Sequence, residues 1–305
     1  METGVVAWIK TGFCLLWLWT RAVGPVAALQ GCVWVVVRKA FPRRHSWAKA
    51  VMPRPRVVEV RIPGQPHLLY ARWPASDLHI LHTVVRRGEY APLDHYLDRA
   101  RPMLFLDLGA NIGATSRYIL NRYPQARVVA VEPGSANIEI FRRNMGAYGD
   151  RVHLIQAAVW SCNTRLVFDA ESTQTGTEAG IRLREATPGE AAADSMDAID
   201  VPTLLAGETV TPDTQIVVKM DVEGSEAAIF QSPNLGWLDK VCCMAIELHD
   251  QVNPDCSRAF NAAMQGRMVG APEKISETIF VGLKSGYDRR ENGGLRRVSP
   301  GDTPG

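Results

Sequence analysis

A chain of 305 residues, 46% apolar and 22% charged, is long enough for one large globular domain or two small ones. The formal net charge of +2 conceals an asymmetry, because residues 1–61 carry ten Lys and Arg against two Glu, whereas the remainder carries 24 basic and 30 acidic residues. A mildly acidic body argues against nucleic acid as the main partner, since phosphate binding requires basic residues around the site.

Residues 1–56 form a basic, apolar leader and linker. The longest charge-free run, residues 22–37, has 16 residues, fewer than the roughly 18–20 that span a bilayer. Tryptophans followed by basic residues favour a helix lying in a membrane interface. The alternatives are a misassigned start codon or a helix packed on the body. Glu2 and Lys10 argue against a secretory signal, so we predict a cytoplasmic protein with possible peripheral membrane contact through the leader.

The six cysteines show no paired spacing of the kind that binds zinc or forms a disulfide framework. Cys242 and Cys243 lie inside an apolar run that is typical of a buried strand. We therefore predict that the cysteines are small core hydrophobes in a reducing compartment.

Residues 57–102 are predicted to form an extension of short elements ahead of the main domain. Alternating apolar residues indicate strands at 57–62 and 67–72. Ser76 and Asp77 are typical helix caps for a run through residue 85, and a second helix is predicted at 93–101.

Residues 103–284 alternate between apolar strands and helices, the pattern of a mostly parallel sheet with helices on both faces. Helices are predicted at 114–122, 136–147 and 226–231, and strands at 103–108, 127–132, 152–160, 215–221 and 241–248. Residues 166–168 and 278–283 are further strand candidates, the latter as an antiparallel closing strand. The predicted fold class is therefore α/β.

Two segments lack such periodicity. Residues 171–193 are polar and rich in Gly, Thr and Ala, which predicts a long loop. Loops of that length are more often functional or disordered than structural, so a lid is one hypothesis for this segment. Residues 285–305, with five Gly and two Pro, are predicted to be a disordered tail.

The stretch at 103–116, MLFLDLGANIGATS, predicts a strand, a glycine turn and a helix, the junction where open α/β folds bind cofactors. A dinucleotide fingerprint requires a second glycine where this chain has Asn111, which argues against NAD. The spacing of Asp107, Gly109 and Gly113 instead suits a ligand with an amino-acid tail and no phosphate. S-adenosylmethionine is the candidate cofactor.

Glu132 ends the second predicted strand of this domain, where a carboxylate can accept hydrogen bonds from both ribose hydroxyls. The alternative is a solvated turn residue ahead of Pro133 and Gly134. The glycine turn favours the ribose role. The predicted cofactor-binding residues are thus Asp107, Gly109, Asn111, Gly113, Glu132 and Asp221.

Several stretches match a known family: Arg72 with Ser76 and Asp77, residues 88–90, FLDLGANIG, VVAVEP and residues 194–205. The most specific are VVKMDVEGSE at 217–226 and AIELH at 245–249. On these the chain resembles the FkbM family of S-adenosylmethionine-dependent methyltransferases, over about residues 57–283. The resemblance implies a Rossmann-like class I methyltransferase fold. It also implies O-methylation of a hydroxyl on a small molecule or glycan, such as a sugar, a glycolipid or a polyketide-like metabolite.

Methyl transfer needs an acceptor oxygen held in line with the methyl group, and the acceptor proton is often removed. Period-two alternation places Lys219 with Asp221 on the fourth strand, and Glu247 with His249 on the fifth. His249 is the leading candidate for general base, with Glu247 as base or as the group that orients His249. Asp221 is expected to face the sulfonium or the ammonium, or to orient the acceptor; capping the next turn is its alternative.

Several alternatives stay open at this point. Asp221, Glu247 and His249 could instead bind a divalent metal that orients a diol, although nothing in the pattern requires a metal. Glu226 is expected to favour a helix N-terminus. The alternative functions are N- or C-methylation and a catalytically silent cofactor-binding module. The chain has every residue of the predicted cofactor motifs, which argues against a catalytically silent module.

Overall fold

The computed structural model describes residue 20 and residues 56–168, 183–187, 190 and 195–284. The predicted tail, nearly all of the leader and much of the predicted loop at 171–193 lie outside the described residues. The described chain falls into two units, of which the first comprises residues 56–90, 110–122 and 134–152 and the second the remainder from residue 91 onward. The domain boundaries drawn from the sequence stay a prediction.

The first unit combines a hairpin with helices. Its elements are β1 (Arg56–Val60), β2 (Leu69–Trp73), α1 (Asp77–Ile80), a π-helical turn (Leu81–Arg86), α2 (Ala114–Arg122), α3 (Ser135–Met145) and a 3₁₀ segment (Gly146–Arg151). Strands β1 and β2 pair antiparallel. The helix predicted from residue 76 therefore begins as α1 and continues with π-helical hydrogen bonding.

Buried polar side chains hold the first unit together. The Asn144 side chain accepts from the backbone N–H of Tyr70 at 2.7 Å and donates to the carbonyl of Ile112 at 2.8 Å. The buried Arg117 guanidinium donates to the carbonyl of Leu68 at 2.9 Å. These bonds join β2, α2 and α3 through backbone groups that would otherwise be buried without partners.

The second unit carries the main sheet. Its strands are β3 (Met103–Leu108), β4 (Ala126–Val131), β5 (Val152–Ile155), β6 (Ala158–Val159), β7 (Thr164–Phe168), β8 (Leu183–Glu185), β9 (Ser195–Ile199), β10 (Gln215–Met220), β11 (Val241–Ile246), β12 (Met268–Ile275) and β13 (Thr278–Leu283). Its helices are α4 (Val201–Ala206), α5 (Glu226–Gln231) and α6 (Cys256–Met264), with 3₁₀ turns at Ala91–His95 and Gly236–Lys240.

The main sheet has the strand order β12-β13-β11-β10-β3-β4-β5, and a smaller sheet has the order β6-β9-β7-β8. Strand β3 pairs parallel with both β10 and β4, and β10 pairs parallel with β11. Strand β13 runs antiparallel to β11 and β12. The predicted Rossmann-like α/β fold, with a mostly parallel sheet and an antiparallel closing strand, is confirmed.

The centre of the sheet explains the apolar character of its strands. All residues of β3, β10 and β11 are buried, as expected for parallel strands covered on both faces. Leu106, Val218 and Met244 belong to one core cluster with Phe260 of α6 and Phe230 of α5. The order of the strands reverses between β3 and β10, because β4 and β5 lie on one side of β3 and β10 and β11 on the other. Such sheets bind ligands at this place, beyond the carboxyl ends of their strands.

Two predicted elements are corrected by long-range hydrogen bonding. The strand predicted at 152–160 is two strands in different sheets, because the second half, β6, pairs with β9. The helix predicted at 93–101 is only a 3₁₀ turn. Beyond that turn the Asp98 N–H donates to the Gln215 side chain, and the Ala100 N–H donates to the Asp98 carboxylate, so neither continues a helix.

The remaining corrections concern strands and one cysteine. The loop predicted at 171–193 contains a short strand, β8, which is stabilised by antiparallel pairing with β7. Cys242, Cys243 and Cys256 are buried as predicted, but Cys162 is exposed in the turn before β7. None of the helices in the described part of the chain has the length and apolar character needed to cross a membrane.

Candidate active site

Two buried, oppositely charged side chains link strand β3 to its neighbour β10. Asp107 of β3 and Lys219 of β10 are paired in the parallel register. Lys219 Nζ lies 3.4 Å from Asp107 Oδ1 and 3.5 Å from Asp221 Oδ2, and its side chain is only 5% exposed. Lys219 also donates a hydrogen bond of 2.5 Å to the carbonyl of Gly109. One ammonium group therefore joins the start of the glycine turn to the end of β10.

Gly109 is required where β3 ends. Its φ of +78° lies in the left-handed region, and a Cβ at this position would lie 1.8 Å from the carbonyl oxygen of Asp221. The Gly109 N–H donates to the carbonyl of Val131, and the Asp221 N–H donates to the carbonyl of Leu108, each at 3.0 Å. The backbone at this edge of the sheet is thus closely packed, and only glycine fits it.

Asn111 and Gly113 belong to the first unit. Both have positive φ, +49° at Asn111 and +82° at Gly113. A Cβ on Gly113 would lie 2.9 Å from Phe141 Cδ2 and 3.1 Å from Met145 Cε. Gly113 therefore has a packing reason to be glycine, because it lets α2 approach α3. The role of both residues in cofactor binding stays a prediction.

Glu132 follows β4 directly and is 6% exposed. Its backbone N–H donates to the carbonyl of Ile155 at 3.2 Å, which anchors the position beside β5. The carboxylate thus stands at the strand end where the sequence placed it, and it is not a solvated turn residue. Its ribose role stays a prediction.

His249 is the centre of a carboxylate cluster. Its Nδ1 lies 2.7 Å from Glu226 Oε1. Its Nε2 lies 3.6 Å from Asp221 Oδ1 and 3.7 Å from both Glu223 Oε2 and Glu247 Oε1. The imidazole is 4% exposed. The structure therefore brings together the three predicted catalytic residues and adds two acids to them.

The cluster sets two unusual pKa values. Burial alone would lower the pKa of His249, but the hydrogen bond to Glu226 and the charges of Glu226 and Asp221 outweigh it and raise the pKa to about 9. Burial, together with the charge of Asp221, raises the pKa of Glu247 to about 7, and the charge of His249 limits that rise. At neutral pH His249 holds its proton while Glu247 titrates.

The turn after β10, which carries Glu223, has a strained backbone. Glu223 has a φ of +52°, which non-glycine residues rarely adopt. At the next residue, Gly224, φ is +98° and a Cβ would lie 2.7 Å from Val252 Cγ1. Strain of this kind is typical of functional sites, because the surrounding packing must maintain it.

Sequence reasoning missed the parts played by Glu226 and Lys219. Glu226 does begin α5, as expected, but its carboxylate is buried against His249. Lys219 offered a local signal, because a lysine inside a strand buried on both faces needs a charged partner. Glu226 offered a weaker signal, because it is an acid at the start of a helix whose next four residues are apolar.

The same cluster includes a set of atoms that could hold a cation. Asp221, Glu247 and His249 each offer one ligand atom, and these atoms lie within 4.8 Å of one another. The ammonium of Lys219 lies 3.5 Å from Asp221 Oδ2 and already supplies that carboxylate with a positive charge. That no metal takes part in the mechanism stays a prediction.

The strand order and the polar carboxyl edge of the sheet place the protein in the Rossmann-like α/β class. A sequence model described as the Methyltransferase FkbM domain matches residues 107–265. The chain belongs to the FkbM methyltransferase family. The family that the sequence motifs predict, most specifically DVEGSE and IELH, is confirmed.

Solved structures of methyltransferases share similarity with the chain. FkbM from Methylobacillus flagellatus KT is 13% identical with a TM-score of 0.40, and the match covers 67% of this chain and 53% of that one. Precorrin-6y C5,15-methyltransferase from Geobacter metallireducens GS-15 is 12% identical with a TM-score of 0.34, covering 64% and 85%. An rRNA methylase from Streptococcus thermophilus is 9% identical with a TM-score of 0.36, covering 65% and 95%.

The chain thus spans about half the length of the Methylobacillus protein. A search among curated proteins gave no match. Likeness at these values does not extend to a substrate or a partner.

Proposed function

We propose that the protein transfers the methyl group of S-adenosylmethionine to a hydroxyl oxygen of a small molecule or glycan. A sugar, a glycolipid or a polyketide-like metabolite is the proposed acceptor. The observation that carries the proposal is the position of Glu247 beside His249, where the pKa of this carboxyl is raised to about 7. A base with that pKa suits the removal of a hydroxyl proton at neutral pH.

The charges of the site fit the proposed cofactor. Two cationic side chains, Lys219 and His249, face carboxylates of Asp107, Asp221, Glu223, Glu226 and Glu247. The surplus negative charge favours a ligand that carries a sulfonium and an ammonium. When bound, S-adenosylmethionine supplies an electrophilic methyl group.

The residues proposed to hold the cofactor follow from their chemistry. Glu132 would accept hydrogen bonds from the ribose hydroxyls, and Asp221 would face the cationic part of the ligand. Gly109 leaves the backbone of the turn without a side chain, and Asp107 fixes Lys219 beside it. Asn111 and Gly113 join this set on the sequence pattern alone.

As the acceptor oxygen bonds to the methyl carbon, the carbon–sulfur bond of the donor would break and release S-adenosylhomocysteine. The hydroxyl proton would pass to a carboxylate oxygen of Glu247. His249 keeps its own proton and presents Nε2–H toward Glu247 and Asp221, which orients both carboxylates. Asp221 helps to position the acceptor. We therefore assign the base to Glu247, which the sequence named as the second candidate, and assign to His249 an orienting and charge-balancing part.

Titration calorimetry of the full chain with S-adenosylhomocysteine is the first test. Absence of binding would contradict a methyltransferase that uses S-adenosylmethionine. Turnover is then followed as S-adenosylhomocysteine release with matched hydroxyl and amine acceptors and with RNA. Release with the hydroxyl acceptor alone supports O-methylation, release with amine or RNA assigns another acceptor class, and binding without turnover on any acceptor favours the silent module.

Cytoplasmic localisation and membrane contact through the leader are also proposals. The basic, apolar composition of residues 1–56 supports them. Sedimentation of the full chain with anionic vesicles tests the contact, and equal sedimentation with neutral and anionic vesicles would argue against an electrostatic contribution.

A further inference from the structure

Glu226 is a fully buried carboxylate that the proposed methyl transfer does not use directly. Its Oε1 lies 2.7 Å from His249 Nδ1, and the N–H of Val222 approaches the same oxygen at 3.4 Å. Its Oε2 accepts from the thiol of Cys256 at 3.2 Å. Both oxygens are therefore engaged, and the carboxylate is fixed in one orientation.

Cys256 stabilises that orientation as a permanent donor. Burial and the neighbouring charge of Glu226 raise the pKa of the Cys256 thiol to about 12. The sulfur thus keeps its proton over the whole range in which the enzyme would work. Because this contact comes from α6, Glu226 is held between two helices and not by His249 alone.

The contact at Nδ1 determines what the other ring nitrogen does. A carboxylate accepts hydrogen bonds, so Nδ1 must carry a hydrogen in both the charged and the neutral form of His249. Nε2 is then the nitrogen that gains and loses a proton. It faces Asp221, Glu223 and Glu247 at 3.6–3.7 Å.

We propose that Glu226 is a positioning residue that acts through His249, by fixing hydrogen at Nδ1 and aiming Nε2 at Asp221 and Glu247. Its catalytic consequence rests on the proposed methyl transfer, whereas its effect on His249 does not. The charged and titratable groups that face the pair are Asp221, Glu223, Glu247 and Cys256, with Lys219 beyond Asp221.

The test compares Glu226→Gln with a matched control, Glu208→Gln, in the full chain. Glu208 also faces a histidine, with its Oε1 3.5 Å from His153 Nδ1, but that histidine is exposed. Nitrogen-detected NMR follows the imidazole titrations, and His249→Gln identifies the signal of His249. We expect the titration midpoint of His249 to lie near 9 in the wild type. The His249 midpoint should fall by about one pH unit or more in Glu226→Gln and stay unchanged in Glu208→Gln.

Kinetics give the second measurement once an acceptor is known. We expect Glu226→Gln to lower kcat about 10–100-fold through loss of the fixed imidazole, while KM and S-adenosylhomocysteine affinity stay within about twofold. Glu226→Asp retains the charge and should keep the His249 midpoint closer to wild type. A midpoint unchanged in Glu226→Gln would overturn the proposal.

The wild-type protein supplies a test that needs no variant. Above its midpoint, neutral His249 should show the nitrogen shifts of the form with hydrogen on Nδ1. The opposite form, with hydrogen on Nε2, would overturn the proposal even if Glu226→Gln failed to fold. This NMR result does not depend on cofactor binding. If the protein bound no S-adenosylhomocysteine, the proposed function would be contradicted, and the NMR measurement would still decide the role of Glu226.

Discussion

Lys219 Nζ and Asp107 Oδ1 lie 3.4 Å apart with both side chains buried. Removing the ammonium by Lys219→Met would leave the buried Asp107 carboxylate without the cation that lies 3.4 Å from it. We expect the free energy of unfolding to fall by about 3–5 kcal/mol, measured by urea denaturation. Lys240→Met, at an exposed position, should change it by less than about 0.5 kcal/mol. Equal losses of unfolding free energy in the two variants would show that the buried Lys219–Asp107 pair stabilises the fold no more than an exposed lysine does.

Gly109 should not tolerate a methyl group. In Gly109→Ala the new Cβ would meet the carbonyl of Asp221, and the positive φ adds strain. We expect a loss of roughly 3 kcal/mol or more, or failure to fold. Gly146→Ala is the matched control, because its φ is −55° and a Cβ there meets nothing within 4 Å. A thermal melt of Gly109→Ala that overlays the wild type would contradict the close approach described at this turn.

Glu132→Ala should weaken cofactor binding. A carboxylate that accepts hydrogen bonds from two ribose hydroxyls contributes about 1.5–3 kcal/mol, so we expect affinity for S-adenosylhomocysteine to fall about 10–100-fold. Calorimetry measures this directly. Glu139→Ala, on the exposed side of α3, should bind like the wild type. Retained affinity in Glu132→Ala would remove Glu132 from the cofactor site.

Glu247 should control the pH dependence of turnover. Because the pKa of this carboxyl is raised to about 7, kcat should rise as pH increases through that value and Glu247 loses its proton. Glu247→Gln should lower kcat about 100- to 10,000-fold and leave no rise near neutral pH. Binding of S-adenosylhomocysteine should be unchanged.

His249→Ala should also lower turnover and spare cofactor binding, because His249 orients Glu247 without touching the proposed ribose site. The loss should be smaller than in Glu247→Gln. A reversed order of effect, with the larger loss in His249→Ala and the pH dependence retained in Glu247→Gln, would return the role of base to His249.

Stability should depend on pH through His249. Its pKa is raised to about 9 in the folded protein, above its ordinary value of 6.5. The folded state therefore retains a proton that the unfolded state loses between these values. The stabilisation is complete below pH 6.5 and disappears as pH rises through about 9.

Urea denaturation at several pH values tests that dependence. The decline in stability between pH 6.5 and 9 should be shallower in His249→Gln than in wild type. His153→Gln, at an exposed histidine, should follow the wild-type curve. Identical slopes for wild type and His249→Gln would argue against a proton held at His249.

Local patterns were sufficient for several elements. The sequence predicted β3, β13, α2 and α5 to the residue, because each is an apolar run bounded by a turn or a change of period. It did not predict β12, in which Gly270 has a positive φ and the pairing register shifts between Val269 and Glu273. Such a bulge breaks the alternation on which strand prediction depends.

The site was predictable in position and less so in roles. The predicted strand ends put Asp221, Glu247 and His249 at one edge of the sheet. In the structure one carboxylate oxygen of each acid and one ring nitrogen of His249 lie within 4.8 Å of one another. The proton distribution among them depends on Glu226, which contacts His249 from another element, 23 residues away along the chain. No periodicity encodes that contact, so the sequence alone offered no reason to propose Glu247 before His249 as the base.

The hydrogen bond from Lys219 to the Gly109 carbonyl joins residues 110 positions apart. The turn that looks self-contained in the sequence is therefore completed only when β10 has docked beside β3. A nascent or truncated chain that ends before β10 would carry the glycine motif without its ammonium anchor. A contact between residues this far apart closes a long loop, so the proposed cofactor turn should be complete only once the central sheet has assembled.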